Sequence, residues 1–274
     1  MVPSLRGDSL RHFRLRPIFS VGIVAVTFAG FAAAEPASDR FDVVIVDAGH
    51  GGEDHGARGG AGLVEKKLVL DVSKRLARRL RSRGLTVILT RDEDEFVPLE
   101  ARTSIANDAR GDLFISIHAN SSPSPRPQGI ETYFISLEAS DDLSQQVARR
   151  ENAAFGEAPP ASLRLDPLAA ILGDMSVNEH FRESSGFSKL AQAELAKVDP
   201  APSRGVKQAP FVVLMGVRMP ATLVEIGFLS NPQDEQALRT AERREGIAEA
   251  LARAVGVFGD GYDRRHGVAL TGAR

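Results

Sequence analysis

Short apolar runs alternate with helical periodicities along most of this chain. Residues 43–46 read Val-Val-Ile-Val, a β-branched run that predicts a buried strand. Leu68, Val72, Leu76 and Leu80 then recur every four residues with Val69 beside them, an amphipathic helix. Arg78, Arg79, Arg81 and Arg83 sit late in it, where the helix dipole favours cations, and Gly84 stops it. Residues 86–89 predict a second strand, 90–94 a charged loop, 99–109 a helix, 113–117 a third strand and 130–135 a fourth. Between the last two, residues 121–128 carry three prolines and read as loop. Residues 212–215 and 222–224 predict two more strands, Asn231-Pro232 opens a helix, and a final amphipathic helix covers about 244–258. Strands alternating with helices predict an α/β fold: a single three-layer domain whose largely parallel, mixed sheet has helices on both faces.

One stretch breaks the rhythm. Residues 137–196 are long, mostly polar and mostly helical in pattern, with a break at Pro159-Pro160. A connection of that length inside a compact domain is usually functional. Its first helix is expected over 141–155, with Leu143, Val147 and Phe155 as apolar points. A second, over about 166–181, shows Leu168, Ile171, Leu172, Met175 and Val177. That is more apolar surface than a solvated helix needs, so it docks on the core or receives a partner helix.

The ends read differently. Arg6, Arg11, Arg14 and Arg16 precede an uncharged run from Ile18 to Ala34 that closes on Ala32-Ala33-Ala34. This is the pattern of an export signal cleaved after Ala34; an uncleaved anchor is the alternative, and either exports the rest. The expected organisation is a signal peptide (1–34), a linker (35–40), a catalytic domain (41–259) with a helical insertion at about 138–196, and a flexible tail (260–274). Composition narrows the chemistry. The 274 residues include no cysteine, so disulfides and thiolate ligands are excluded and any metal must take His, Asp or Glu. A net charge of −2 carries no nucleic-acid signature.

Four residues able to do chemistry fall at like ends of the predicted elements. His50 follows the first strand in Asp-Ala-Gly-His-Gly-Gly, where glycines let the backbone turn and approach a ligand. Glu65 opens the first helix, His118 follows the third strand and Glu225 follows residues 222–224. Each alone has a plainer reading: a capped histidine, an acid at a helix dipole, a strand-end charge. Together, two histidines and a carboxylate can fill three positions on Zn²⁺ and leave the fourth for water, whose pKa falls from 15.7 to about 7. Glu225 is then the candidate proton shuttle, worth roughly 10²–10⁴ in rate. Asp47 and Asn120 flank the histidines as partners fixing ring orientation or as turn and cap residues. His55 is read as solvated in the Gly-rich loop, and His12, His180 and His266 as uninvolved.

The motifs Asp47-Ala-Gly-His-Gly-Gly, Glu65-Lys66, Thr90-Arg91, Leu99-Glu-Ala-Arg102 with Ala106-Asn107, Ser116-Ile-His118-Ala-Asn120, Gly129-Ile-Glu-Thr-Tyr133 and Val224-Glu225-Ile-Gly-Phe228 run in one order. In that order they resemble the catalytic domain of zinc-dependent N-acetylmuramoyl-L-alanine amidases, the cell-wall hydrolases, over about 43–257. The resemblance implies one zinc per chain on His50, Glu65 and His118, with Glu225 catalytic. It implies a peptidoglycan substrate, cut between N-acetylmuramic acid and the L-alanine of its stem peptide, and a periplasmic location. It also implies that the helical insertion covers the zinc until an activator, a coiled-coil protein with a degenerate peptidase domain, removes it. Glu151 is the first choice for the covering carboxylate and Glu138 the second. Ala48 and His55 depart from the family pattern, which commonly has proline at both; both lie in loops, where loop stiffness changes before ligation does. The cell-wall-targeting domain that members of this family often carry is not expected before the catalytic domain. Two other classes compete: a phosphate binder using the Gly-rich turn, and a catalytically silent wall-binding or regulatory module of the same fold.

Overall fold

A computed structural model describes residues 40–155 and 175–268; the expectations for the signal peptide, most of the linker, residues 156–174 and the end of the tail lie outside them. Six strands form one sheet: β1 (Val43–Ala48), β2 (Thr86–Leu89), β3 (Leu113–Asn120), β4 (Glu131–Ile135), β5 (Val206–Ala209) and β6 (Ala221–Phe228). Their spatial order is β2-β1-β3-β6-β4-β5. All pairings are parallel except β4 on β6. The described helices are α1 (Glu65–Ser82), α2 (Leu99–Asp108), α3 (Asp142–Glu151), α4 (Met175–Ala196), α5 (Val212–Met215), α6 (Pro232–Leu238) and α7 (Ala241–Arg265). None of them is long and apolar enough to cross a membrane.

The period of two along each strand divides the core. Val44, Val46, Ile115, Ile117, Val224 and Ile226 face one side, where α1, α4 and α7 cover them with Leu68, Leu76, Phe187 and Leu251. Ile45, Phe114, Tyr133 and Leu223 face the other, under Ala106 of α2 and Phe211 and Leu214 at α5. On this second face the apolar residues give way to polar ones toward the C-terminal ends of the parallel strands. Ile45 is followed two residues on by Asp47, Phe114 by Ser116, His118 and Asn120, and Leu223 by Glu225, all buried. Because β4 runs the opposite way, its first residue, Glu131, reaches this same end and pairs with Glu225 in register. The polar corner is thus set by strand direction and the pleat.

Strand ends run longer than expected, which puts Ala48 in β1, His118 in β3 and Glu225 in β6; beyond that, the structure departs from the expectations at four places. Residues 212–215 are not a strand but the short helix α5. An apolar run of four is ambiguous by pattern alone, and here Asn152 Oδ1 accepts the Val212 amide at 2.9 Å and starts a helical turn. Strand β5 had no sequence signal: it is an edge strand in which only Ala209 is buried. The helical insertion expected over 138–196 is not one unit. Phe187, Ala191 and Leu195 of α4 are fully buried in the main core, and Gln192 donates to the Ile130 carbonyl at 2.9 Å. That half is scaffold; among the described residues of the insertion, only α3 and its surroundings lie over the polar corner. Finally, α7 runs on to Arg265, so residues 260–265 are helix and not tail.

Candidate metal centre

The corner closes on a buried cluster. Glycine and arginine shape its first wall. His50 itself takes a left-handed backbone (φ 58°), as do Gly52 and Gly56 around it. The carbonyls of this turn are gathered by two buried guanidinium groups. Arg91 donates to Ala48 (2.9 Å), Gly49 (2.7 Å) and Lys66 (2.9 Å). Arg102 donates to Ala48 (2.6 Å), His50 (2.7 Å) and Val97 (2.9 Å). Asp47 anchors the arrangement, accepting from Thr90 Oγ1 (2.6 Å), Ser116 Oγ (2.7 Å) and Arg102 (2.8 Å). Burial works against its charge, but Arg102 and the two hydroxyls hold its pKa below the ordinary value. Asp47 therefore positions the loop and does not touch a histidine ring. Gly49 must be glycine because a Cβ there would lie 2.4 Å from His118 Cε1.

Four side chains converge in this wall. One ligand atom from each of His50, Glu65, His118 and Glu151 lies within 4.8 Å of all the others. His50 Nε2 is 3.0 Å from Glu65 Oε1 and 3.1 Å from Glu151 Oε2. His118 Nδ1 is 3.2 Å from Glu65 Oε1 and 2.9 Å from Glu151 Oε2. His50 Nδ1 donates to Asp54 Oδ2 at 2.8 Å, which fixes the tautomer and frees Nε2. Glu65 is held on both oxygens: Oε1 accepts from the Ala119 amide (2.9 Å) and Oε2 from Ala57 (2.7 Å).

These residues fit a divalent cation. His50 Nε2 and Glu151 Oε2 are buried and close, yet neither makes a hydrogen bond of proper geometry. Their atoms aim at a common point and not at each other. Tetrahedral zinc ligands at roughly 2.0–2.1 Å stand about 3.3 Å apart, near the four separations above, and two imidazoles with two carboxylates form a suitable donor set. The four groups also bias one another electrostatically. Burial disfavours charge on His50 and His118, but Glu65 beside the first and Glu151 beside the second raise both pKa values, His118 to about 10. Against burial, His50 brings Glu65 down to about 2, and His118 holds Glu151 well below the carboxylate range.

Glu225 stands next to His118, its register partner on β6. It is fully buried and neither carboxyl oxygen has a partner. Burial, then the charges of Glu151 and Glu65, push its pKa well above the ordinary value. A buried carboxyl with a raised pKa, and so a stronger base than an ordinary carboxylate, is suited to proton transfer.

His50, Glu65, His118, Glu225 and Glu151 thus meet at one corner, and Glu138 does not. It is exposed in the turn before α3 and lies outside the cluster; the chain leaves β4 away from the corner and only the far end of α3 returns to it. Asn120 donates to Glu131 Oε2 at 3.2 Å and accepts from Arg150, so it serves neither histidine ring. Asp54, the partner of His50, was missed; a carboxylate four residues after the histidine in a Gly-rich loop was the available signal. His55 is exposed, as expected. The phosphate reading fails on the loop's amides: those of Gly49, Gly51, Gly52 and Gly56 are all taken inside the protein.

Fold and site together define an α/β domain with a buried His₂Glu₂ cluster of metal-binding type at the C-terminal edge of a mixed sheet. Residues 44–256 match the N-acetylmuramoyl-L-alanine amidase family Amidase_3. The chain is similar to N-acetylmuramoyl-L-alanine amidase AmiA of Escherichia coli, 33% identical with 88% of this chain and 90% of that protein covered. It is 34% identical to amidase AmiC of Neisseria meningitidis over 79% of this chain, spanning about half (52%) of that relative. Among solved structures it resembles amidase AmiC2 of Nostoc punctiforme, with a TM-score of 0.60, 29% identity, and 78% of this chain and 94% of that one covered. The chain belongs to the N-acetylmuramoyl-L-alanine amidase family, and it is an enzyme of that class.

Proposed function

We propose that this chain hydrolyses the amide between N-acetylmuramic acid and L-alanine in peptidoglycan as a one-zinc enzyme held closed by α3. The carrying observation is the convergence of His50, Glu65, His118 and Glu151 beside a buried, unpartnered Glu225. His50, Glu65 and His118 hold the ion from the rigid sheet edge and α1. When bound, the ion supplies Lewis acidity, polarising a carbonyl and lowering the pKa of water from 15.7 to about 7. Glu225 takes the proton of the attacking water and passes it to the leaving nitrogen. Arg91, Arg102 and Asp47 keep the His50 turn rigid throughout.

Glu151 is the ligand that blocks. Its carboxylate takes the place the substrate needs, and the space left between Phe96, Val97, His50 and Glu151 is about 10 Å³, room for a water at most. Opening therefore requires α3 to move. A partner shifting the gate from 1:99 to 99:1 open must bind the open state about 5.5 kcal/mol better. On this reading the partner is a coiled-coil activator with a degenerate peptidase domain, and the protein works in the periplasm after export, in cell separation or wall turnover.

The test is direct. Purified protein is analysed for metal and incubated with peptidoglycan with and without a chelator, and the released ends are identified by mass spectrometry. One zinc per chain, chelator-sensitive release of muramoyl ends, and loss of both in His118→Ala are expected. Full activity in metal-free His118→Ala would refute the assignment. Glu225→Gln is expected to keep the zinc and lose roughly 10²–10⁴ in kcat; a zinc-loaded wild type with no hydrolysis on any wall, even when opened by Glu151→Ala, points instead to the silent module.

A further inference from the structure

Glu151 is not the only residue that α3 brings to this corner. Arg150, beside it, reaches across the end of β3. Its Nη2 donates to Asn120 Oδ1 at 2.8 Å, its Nη1 donates to the Ser121 carbonyl, and its Nε donates to Glu151 Oε1 at 3.1 Å.

Of the acceptors it covers, Asn120 ends β3 and Ser121 follows it. Asn120 is fully buried, and its Nδ2 donates to Glu131 Oε2 at 3.2 Å. A carboxylate only accepts, so this contact decides which way the amide faces and turns Oδ1 toward α3. Glu131 is in turn held by Tyr133 Oη (2.7 Å), Arg204 Nε (2.6 Å) and Lys207 Nζ (2.9 Å), none of them on α3. Lys207 also touches Asp141 at the start of that helix. Asn120 lies two residues beyond His118 on β3 and shares its face. When α3 leaves, two fixed acceptors remain beside the metal ligands with no donor. A buried acceptor such as Asn120 Oδ1 is matched by a donor when a site is filled, and the half-buried Ser121 carbonyl lies beside it.

We propose that Asn120 Oδ1 and the Ser121 carbonyl form a subsite for backbone N–H groups of the substrate's peptide, and that Arg150 fills this subsite while α3 is docked. The inference rests on the amidase reading above and deepens it. The helix end then imitates substrate at two points, with Glu151 on the ligands and Arg150 on the peptide acceptors. A sugar alone offers no backbone amide for these acceptors. A muramoyl peptide extending beyond the first alanine does.

The experiment uses the full chain opened by Glu151→Ala, with zinc content measured on every variant. Two soluble substrates are compared: N-acetylmuramoyl-L-alanine, which has no peptide N–H beyond the scissile one, and an N-acetylmuramoyl tripeptide. Adding Asn120→Ala is expected to raise KM for the tripeptide roughly tenfold, the loss of about one hydrogen bond, with kcat little changed and the short substrate unaffected. Equal effects on both substrates, or none, overturn the subsite. Should Asn120→Ala lose zinc or fold, Arg150→Ala in the otherwise unchanged chain decides. Free tripeptide is expected to inhibit it roughly tenfold more tightly than wild type, with inhibition by free L-alanine, which has no peptide N–H, unchanged; a merely loosened gate would tighten both. Equal inhibition overturns the proposal. Failure of the amidase reading looks different: a zinc-loaded Glu151→Ala protein that cuts neither substrate.

Discussion

Helices α3 and α4 flank the same stretch of chain and are held in opposite ways. Helix α4 puts Phe187, Ala191 and Leu195 into the main core without exposure, and adds Ser188 to Thr222 at 2.8 Å. Helix α3 buries only Val147 and Ala148 as apolar side chains. Its remaining grip is polar: Asp141 caps its start, Arg150 and Glu151 tie its end to β3 and the cluster, and Asn152 donates to the Pro210 carbonyl at 2.8 Å. Apolar area has no substitute partner outside the core, so α4 leaves only when the domain unfolds. Ionic and hydrogen-bonding groups can be re-satisfied by water, metal or substrate, so α3 belongs to the low-stability end of the molecule. A gate has to be built from the second kind of contact.

The contrast can be broken at its strong side first. Phe187→Ala in α4 is expected to cost about 3–5 kcal/mol of global stability, read from urea unfolding, with no gain in partner-free hydrolysis. A variant as stable as wild type would mean that α4 is not scaffold. Next comes the weak side. Glu151→Ala is expected to leave the unfolding midpoint near that of wild type and raise partner-free wall hydrolysis about tenfold, the effect of a shift of roughly 1.4 kcal/mol toward the open state. A folded, zinc-loaded Glu151→Ala protein no faster than wild type removes α3 as a gate.

The smallest effect sharpens the comparison at the helix start. Asp141 accepts from the Ser144 amide at 2.7 Å, and Asp141→Ala is expected to weaken α3 by about 1 kcal/mol, seen as faster amide exchange in α3 but not α4. The pH dependence follows the same residue. Burial opposes its charge, but the Ser144 bonds and Lys207 lower its pKa to about 2. A depressed carboxyl stabilises above its unfolded pKa, about 4, and that contribution is lost as pH falls toward 2. Protection of α3 is therefore expected to drop across that window, and Asp141→Ala to lack the drop.

Much of this protein was legible in one dimension. Regular periods mark elements whose packing is decided by their own side chains, so α1, α2, β1 to β4, β6 and α7 could be read from residues such as Leu68, Leu76 and Phe114. The chemistry was legible because His50 and Glu65 sit at element ends and His118 and Glu225 in the C-terminal halves of β3 and β6, and an alternating α/β chain returns those positions to one edge of the sheet. Other features depended on neighbours. Strand β5 exists because β4 offers it an edge, and residues 212–215 are helical because Asn152 caps them, a contact across 60 positions. Likewise, only the docking of α3 separates Glu151 from Glu138: both are glutamates in a polar stretch, and which one reaches the histidines depends on the direction the helix takes across the sheet. That direction is set by long-range polar contacts from Arg150 and Asn152, which leave no period in the sequence.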